Sequence, residues 1–200
     1  MRRHFRGVVI ALVCITVAGA WRPLAEALTL APESKLWFDG ESTVRDWSCK
    51  APVLQAAVEA QGAGAVAAVL GGEKAVNTVT FTVPTMKLDC DNRTMNGHMR
   101  KALNAEKHAA ITFTLTGYEL SKGETVKGTL DGTLTINGVT KPIVLSAEFV
   151  AGPNGTLRVT GRYPLKMTDW DVSPPRLMLG TLKVKEMVTV GFDLLLTNTI

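Results

Sequence analysis

The side chains with the clearest potential for catalysis in this sequence are two aspartates in the segment KMTDWDVSPPR. Asp169 and Asp171 flank Trp170, and paired carboxylates beside an aromatic ring are groups that glycosidases use. Alternate residues of a strand share one face, but Pro174 and Pro175 follow at once and favour a loop or a strand end. The segment therefore predicts surface carboxylates and no catalytic pair.

The histidines offer no better catalytic arrangement. His98 and His108 lie outside the N-terminal segment, and neither accompanies a serine or cysteine in a recognisable nucleophile motif. The sequence contains no G-x-S-x-G, H-E-x-x-H or P-loop motif. Asp89, Asp91 and His98 lie near Cys90, but their spacing matches no zinc or calcium template. We therefore expect no enzyme, no metal site and no cofactor.

The first 27 residues have the pattern of a cleaved signal peptide. A basic start precedes an apolar run at residues 7–20, which is too short to cross a bilayer as a helix. Ala25 and Ala27 form an A-x-A cleavage site, and cleavage after Ala20 is the alternative. We expect residues 1–27 to be removed and the protein to be periplasmic or secreted, with no stable membrane span.

The positive charge of the chain resides mostly in that segment. Residues 1–27 contain four Arg and one Glu, which account for +3 of the net charge of +4. The remainder is too nearly neutral to bind a phosphate backbone by bulk charge, so no nucleic-acid partner is expected. At 46% hydrophobic and 20% charged residues, the composition is that of a globular protein, and residues 28–200 suit a single domain.

The cysteines outside the N-terminal segment are Cys49 and Cys90. An even number of cysteines in an oxidising compartment favours a disulfide, and the neighbouring side chains offer no alternative metal chemistry. We therefore predict a structural Cys49–Cys90 disulfide.

Period-two alternation of apolar residues with threonine dominates the rest of the chain and indicates half-buried antiparallel strands. The strongest candidates are VNTVTFTV (76–83), AITFTLTGYEL (110–120) and KVKEMVTVGFDLLL (183–196). Shorter candidates are SKLWFDG (34–40), TVRDWSC (43–49), PVLQAAVEA (52–60) and TLRVTGRY (156–163). Their spacing is typical of a β-sandwich or a β-barrel.

The segment LDGTLTINGVTKPIVLSAEF (130–149) predicts a hairpin with its turn at Asn137-Gly138. That turn places Ile136 opposite Val139. Every second residue then lies on one apolar face, apart from Lys141. Pro142 directs its missing N–H away from the hairpin partner, so pairing with the next strand should begin only after Pro142.

Only one segment has helical spacing. Met95, Met99 and Leu103 recur at helical intervals in TMNGHMRKALNAEKH (94–108). The Ala/Gly-rich stretch at residues 56–74 does not distinguish a strand from a loop beyond its first residues.

Four segments in this order resemble the YceI-like lipid/polyisoprenoid-binding family. They are GESTVRDWSC, MRKALNAEKHAAITFTL, VKGTLDGTLTINGVTKPIVLSAEF and PLKMTDWDVSPPRLMLGTLKVKEMVTVGFDL. The resemblance covers about residues 34–197. The sequence departs from the family pattern at Trp170-Asp171, where a Phe-Gly type of pair is expected, and in having Cys49 and Cys90.

The resemblance implies an all-β fold: an extended, antiparallel, eight-stranded, lipocalin-like β-barrel with one or two short helices. Inward-facing residues would then line a lumen that binds an apolar ligand. The expected lumen residues are Phe81, Val83, Ile111, Phe113, Leu115, Leu134, Ile136, Ile143 and Phe192. The expected residues at its mouth are Trp170, Leu177, Met178 and the pair Met95 and Met99.

The function implied by the resemblance is that of an exported binding protein. It would hold a polyisoprenoid, quinone or fatty-acid-like chain in the barrel, for transport or storage. The alternative is a secreted barrel or sandwich that acts as an interaction module without a small-molecule ligand. The sequence leaves the oligomeric state open, a homodimer included.

Overall fold

The computed structural model describes residues 25–62, 64–177 and 181–198. The strands are β1 (Ala25–Leu30), β2 (Lys35–Ser42), β3 (Asp46–Lys50), β4 (Gln55–Gln61), β5 (Val76–Pro84), β6 (Ala110–Lys122), β7 (Val126–Ile136), β8 (Val139–Ala151), β9 (Leu157–Lys166), β10 (Arg176–Leu177) and β11 (Leu182–Asn198). The helices are α1 (Ala65–Leu70) and α2 (Arg93–Ala102). Every strand predicted from the alternation is present, with bounds shifted by a few residues.

The sheet closes on itself through its last strand. The order around the barrel is β1-β4-β5-β6-β7-β8-β9-β11, and β11 pairs with β1 as well. Because β11 is 17 residues long, the same edge pairs with β1 at one end and with β2 at the other. The hairpin partner of β2 is β3. The result is the predicted closed, eight-stranded antiparallel barrel.

The two ends of the barrel are covered by different connections. Helix α1 joins β4 to β5 and defines what we call the α1 end. The connection from β5 to β6 contains α2 and lies at the opposite end, the α2 end, together with the tip of the β7–β8 hairpin. Within the described ranges, neither helix has the length and apolar character needed to cross a bilayer.

The β7–β8 hairpin has the predicted register. Ile136 pairs with Val139, and the ladder continues without a shift to the pair Val126–Phe149. The turn residues Asn137 and Gly138 have φ angles of 51° and 77°, as a two-residue type I′ turn requires. The ring of His108 lies against Gly138, so this histidine packs on the hairpin tip.

Strands β8 and β9 separate toward the α2 end. Their ladder begins at Ala147–Gly161 and ends at Ala151–Leu157, which confirms that pairing begins only after Pro142. The ladder therefore includes neither residues 140–146 of β8 nor residues 162–166 of β9, which follow it toward the α2 end. We call these two stretches the seam.

Pro142 on β8 removes one hydrogen-bond donor that continued pairing of β8 with β9 would need. The pair Ile136–Val139 exchanges backbone hydrogen bonds, as in any two-residue hairpin, and every second pair repeats that arrangement. The backbone N–H and C=O of Val144 therefore point toward β9. Pro142 has the same orientation but no N–H to donate on that side. Continued in register, Pro142 would lie opposite Lys166 and would leave that pair without one donor.

Pro164 on β9 removes a second donor. The N–H and C=O of Leu195 bond to Ser34 and Ala31, on the edge of β11 that faces β1 and β2. The backbone groups of successive strand residues point to opposite sides, so the even-numbered residues of β11 bond to the odd-numbered residues of β9. The backbone of Pro164, an even-numbered residue of β9, therefore points toward β8. Continued in register, Pro164 would lie opposite Val144 without an N–H to donate. Two consecutive hydrogen-bonded positions are thus incomplete, and the ladder ends.

Helix α1 was not predicted. Gly64 and Gly71 bound it, and Gly64 adopts a left-handed φ of 93°. Its Ala65, Val66 and Val69 are buried against the α1 end of the barrel. Six residues are too few for a stable isolated helix, so tertiary burial forms it, and local periodicity could not reveal it. Helix α2 is present where predicted, and the Asn92 side chain accepts a hydrogen bond from Met95 N.

Candidate functional site

The barrel encloses a lumen with an unusually uniform lining. Every residue that lines it is aliphatic, aromatic or methionine, and none carries a charge. The cavity volume is about 280 Å³, near the lower end of the range of about 300–1,000 Å³ found for small-molecule sites. An apolar surface of this kind can bind an apolar ligand without direct polar contacts.

The predicted lumen residues divide into two groups, and all of those that the structure describes line the cavity. Five of them are only half-buried although their side chains face inward: Phe81, Ile111, Phe113, Leu115 and Leu134. Another five are buried in packed clusters: Val83, Ile136, Ile143, Trp170 and Phe192. Inward residues retain accessible surface only beside unfilled space, so the lumen is hollow in part and packed in part. Met178 lies outside the described residues.

Glycines make room for the aromatic side chains inside the barrel. An added Cβ at Gly132 would lie 2.4 Å from the ring of Phe113. At Gly161 it would lie 2.3 Å from the ring of Phe192. Each ring therefore occupies the space that a side chain at this position of the neighbouring strand would need.

The sequence analysis places Trp170 at the mouth of the lumen, and in the structure its side chain is buried inside the α2 end. It is 3% exposed and packs in a cluster with Ile136, Ile143 and Leu165. Its indole Nε1 donates a hydrogen bond of 3.0 Å to the carbonyl oxygen of Leu134. An aromatic side chain in an irregular segment is ambiguous in sequence, because the direction of a turn depends on tertiary contacts.

The other residues expected at the mouth are Met95, Met99 and Leu177. Met99 packs beneath α2 against a cluster formed by Ala51, Val83 and Leu88, and its sulfur lies 3.6 Å from Cys90 Sγ. Met95 is half-buried on the same helix. For Leu177 the structure describes the strand β10 but not the side chain.

A disulfide joins Cys49 on β3 to Cys90, just before α2, as predicted. Beside it, the backbone of Lys50 bridges to Asp89, and Lys50 Nζ lies 2.7 Å from Asp91 Oδ1. A hydrogen bond from the Asn96 side chain is the main cause that lowers the pKa of Asp89, and backbone donation from Asp91 adds to it. These contacts fasten the connection that covers the α2 end.

Few polar side-chain groups border the lumen, and most are satisfied. The Trp37 indole donates to Asp39, and Trp170 donates to Leu134. The Tyr118 hydroxyl donates to Val76 O and accepts from Val76 N. In the described part of the chain, the indole Nε1 of Trp47 is buried without an acceptor, and no hydrogen bond involves the hydroxyl of Tyr163.

Trp47, Tyr163, Leu130 and Leu145 are lumen residues that the sequence analysis did not single out. A signal was present for each, since each occupies an inward position of a predicted strand or hairpin. Burial raises the pKa of Tyr163, and the nearby negative charge of Asp169 adds to the effect, so its phenol is kept protonated.

The aspartates and histidines of the sequence analysis lie outside the lumen. Asp169 and Asp171 are exposed, and the backbone around Asp171 is held by the Asn137 side chain, which donates to the carbonyl oxygens of Trp170 and Asp171. His98 is half-buried on α2 and His108 lies on the hairpin tip. Within the described ranges, no three His, Cys, Asp or Glu side chains are grouped as metal ligands.

The geometry defines a class: a small closed β-barrel with an apolar lumen, the architecture of lipocalins. Residues 40–196 match the YceI-like domain family, and the chain belongs to that family. A UPF0312 protein of Ectopseudomonas mendocina is 38% identical over 104 residues, which cover 48% of this chain and 52% of that protein. A UPF0312 protein of Vibrio vulnificus is 36% identical over 122 residues, or 56% of this chain and 60% of that protein. The chain thus spans about half the length of the curated relatives it matches.

Solved structures share the fold at low identity. BcnA of Burkholderia cenocepacia matches with a TM-score of 0.64 and 17% identity, over 82% of this chain and 96% of that one. A polyisoprenoid binding domain from Saccharophagus degradans matches with a TM-score of 0.63 and 18% identity, over 87% and 99%. Identities this low establish a common fold.

Proposed function

We propose that this protein binds an apolar chain in its lumen and does so without catalysis. The observation that carries the proposal is a cavity of about 280 Å³ inside the barrel with no charged residue in its lining. Each CH₂ group transferred from water to such a surface is worth about 0.8 kcal/mol. Burial alone can therefore hold a long chain, and no reacting group is needed.

The proposed ligand class is a polyisoprenoid, a quinone or a fatty-acid-like lipid, carried or stored by the protein. The uncharged aliphatic and aromatic lining of the cavity suits an apolar chain. The likeness in fold to a domain whose name states polyisoprenoid binding is consistent with this class.

We further propose that the protein is exported and that its leader is cleaved after Ala20. The basic and apolar N-terminal pattern supports export, and the Cys49–Cys90 disulfide suits an oxidising compartment. Residues 25–27 pair with residues 59–61 of β4, so cleavage after Ala27 would remove half of β1. Cleavage after Ala20 leaves the strand whole.

Native mass spectrometry of protein purified from its own compartment tests these proposals together. The protein mass reports the cleavage site, and ions released at higher collision energy report the ligand. A lipid of defined mass at a 1:1 ratio is the expected result. Protein that neither carries a lipid nor takes one up from vesicles would favour the alternative of an interaction module.

A bulky substitution in the hollow part of the lumen should displace the ligand without unfolding the barrel. Leu115 lines the lumen and, among the described residues, belongs to none of the packed clusters. Leu115→Trp should therefore fold with a melting temperature close to wild type when both are lipid-free, and bind much less lipid.

Ile136→Trp is the matched control for Leu115→Trp. Ile136 is 7% exposed within a packed cluster, and overpacking such a site typically costs about 1–3 kcal/mol. Thermal unfolding and lipid extraction of both variants make the comparison. If Leu115→Trp is destabilised as much as Ile136→Trp, the interior is filled and the carrier proposal fails.

A further inference from the structure

Two polar groups of the lumen point to a feature of the ligand. Among the polar side chains that border the cavity, the indoles of Trp37 and Trp170 and the hydroxyl of Tyr118 have partners within the protein. Trp47 Nε1 is buried without an acceptor in the described part of the chain, and Tyr163 makes no side-chain hydrogen bond there.

Both of these groups lie at the same end of the lumen. Trp47 and Tyr163 pack against the cluster that contains Leu165, Trp170 and Val188. Trp47 faces inward because it pairs with Gly40, over which its ring lies. An unpaired donor buried in an apolar environment loses its hydrogen bonds to water and is retained at a cost to stability.

We propose that the lumen takes an apolar chain that ends in a hydrogen-bond acceptor oxygen, with that oxygen at the α2 end between Trp47 and Tyr163. The inference rests on the proposed function and adds the chemistry of the polar end. The indole N–H is a donor only, and the neutral phenol is able to donate. A hydroxyl or carbonyl oxygen satisfies both, whereas a plain hydrocarbon satisfies neither. The tail then extends toward the α1 end.

The test compares two probes that share a chain: farnesol, which has a hydroxyl, and farnesene, which has none. Dissociation constants are measured by displacement of N-phenyl-1-naphthylamine. Trp47→Phe should weaken farnesol binding about 3- to 10-fold and leave farnesene binding nearly unchanged, as expected for one lost hydrogen bond. Tyr163→Phe should act in the same direction. Trp37→Phe is the matched indole control: the Trp37 N–H already has Asp39 as its acceptor, so this variant should change farnesol and farnesene binding by the same factor.

The outcomes separate this inference from the proposed function. If wild type binds both probes and Trp47→Phe weakens both equally or neither, the ring only packs and the inference is overturned. If wild type binds neither farnesol nor farnesene, the proposed function fails as well.

A second, independent inference concerns the route into the lumen. The seam has no ladder pairs from residue 140 to residue 146 of β8. Directly behind it, Leu145 and Tyr163 line the cavity. On the outer surface beside it, Val144 is 56% exposed and Met187, which pairs with Lys166, is 47% exposed. Val144 and Met187 thus add apolar surface outside the seam, next to the exposed Arg162 and Lys166.

We infer that the ligand enters and leaves sideways through the seam. Separating two paired strands elsewhere in the barrel breaks backbone hydrogen bonds, but separating β8 from β9 here breaks none of the ladder. Pro142 and Pro164 keep this edge unpaired, because each lacks the backbone N–H that its hydrogen-bonded position would need.

The test restores the missing donors with Pro142→Thr and Pro164→Val in one protein. Amide hydrogen exchange should show new protection at residues 142, 144 and 164. Release of farnesol into excess vesicles should slow at least about tenfold, because additional backbone hydrogen bonds must break before the ligand can leave. Pro153→Ala, in the turn between the same two strands, is the control and should leave release unchanged.

Each alternative result contradicts a stated part of the second inference. Absence of new protection would show that the prolines do not hold the seam open. Protection with release at the wild-type rate would show that the ligand uses another route.

Discussion

Replacing Trp170 with alanine should lower the free energy of unfolding by about 3–5 kcal/mol, the usual cost of truncating a buried aromatic residue. Trp170 is 3% exposed and fills the α2 end of the barrel between Ile143, Leu165 and Val172. Its loss removes the packing of that cluster and the hydrogen bond to Leu134 O. Urea unfolding of lipid-free protein measures the change.

Trp170→Phe separates the two contributions. It keeps most of the apolar contact but removes the indole donor, so its effect should be much smaller than that of alanine, on the order of 1 kcal/mol for the hydrogen bond plus a packing term. A residue at an open mouth would behave differently: Trp170→Ala would then change lipid binding with stability close to wild type. That result would contradict the packing described here.

Removing the disulfide is the second change with a large expected effect. Cys49 and Cys90 are 41 residues apart, and the chain-entropy relation gives about 4 kcal/mol for a loop of that length. Cys49→Ser combined with Cys90→Ser should therefore shift the urea midpoint strongly downward. Amide exchange should also increase in α2, because the disulfide fastens the start of that connection to β3.

Lys50→Ala serves as the control for the disulfide. Lys50 lies next to Cys49 and pairs with Asp91 at the surface, where solvent screens ion pairs and their net contribution is small. It should change stability little. A double serine variant as stable as Lys50→Ala would show that the disulfide adds nothing to the folded barrel.

Local rules were sufficient for the strands and for the hairpin. Asn137-Gly138 has few alternatives to a type I′ turn, and a turn of two residues determines every pair that follows. The position of Pro142 then determined where pairing with β9 could begin. Period-two alternation likewise identified inward residues of β5, β6 and β11, because successive side chains of a strand point to opposite faces. In β6 the register shift after Leu115 moves the inward positions to Tyr118 and Leu120.

Tertiary contacts determined which side chains outside the long strands point into the barrel. Trp170 lies in the turn after β9 and Met99 lies on α2, and no local periodicity states whether such side chains point into a barrel or out of it. Helix α1 depends on burial of Ala65, Val66 and Val69 against the barrel, a contact that six residues of local sequence cannot specify.

The sequence by itself determined an all-β chain, its cysteine pair, the register of its central hairpin and the apolar character of its interior. Only the tertiary structure decided that this interior is hollow around Leu115 and packed around Ile136. The physical reason is that both residues obey the same alternation. Whether an inward side chain meets another side chain or open space depends on barrel closure and on which glycines lie beneath the aromatic rings, as Gly132 does beneath Phe113.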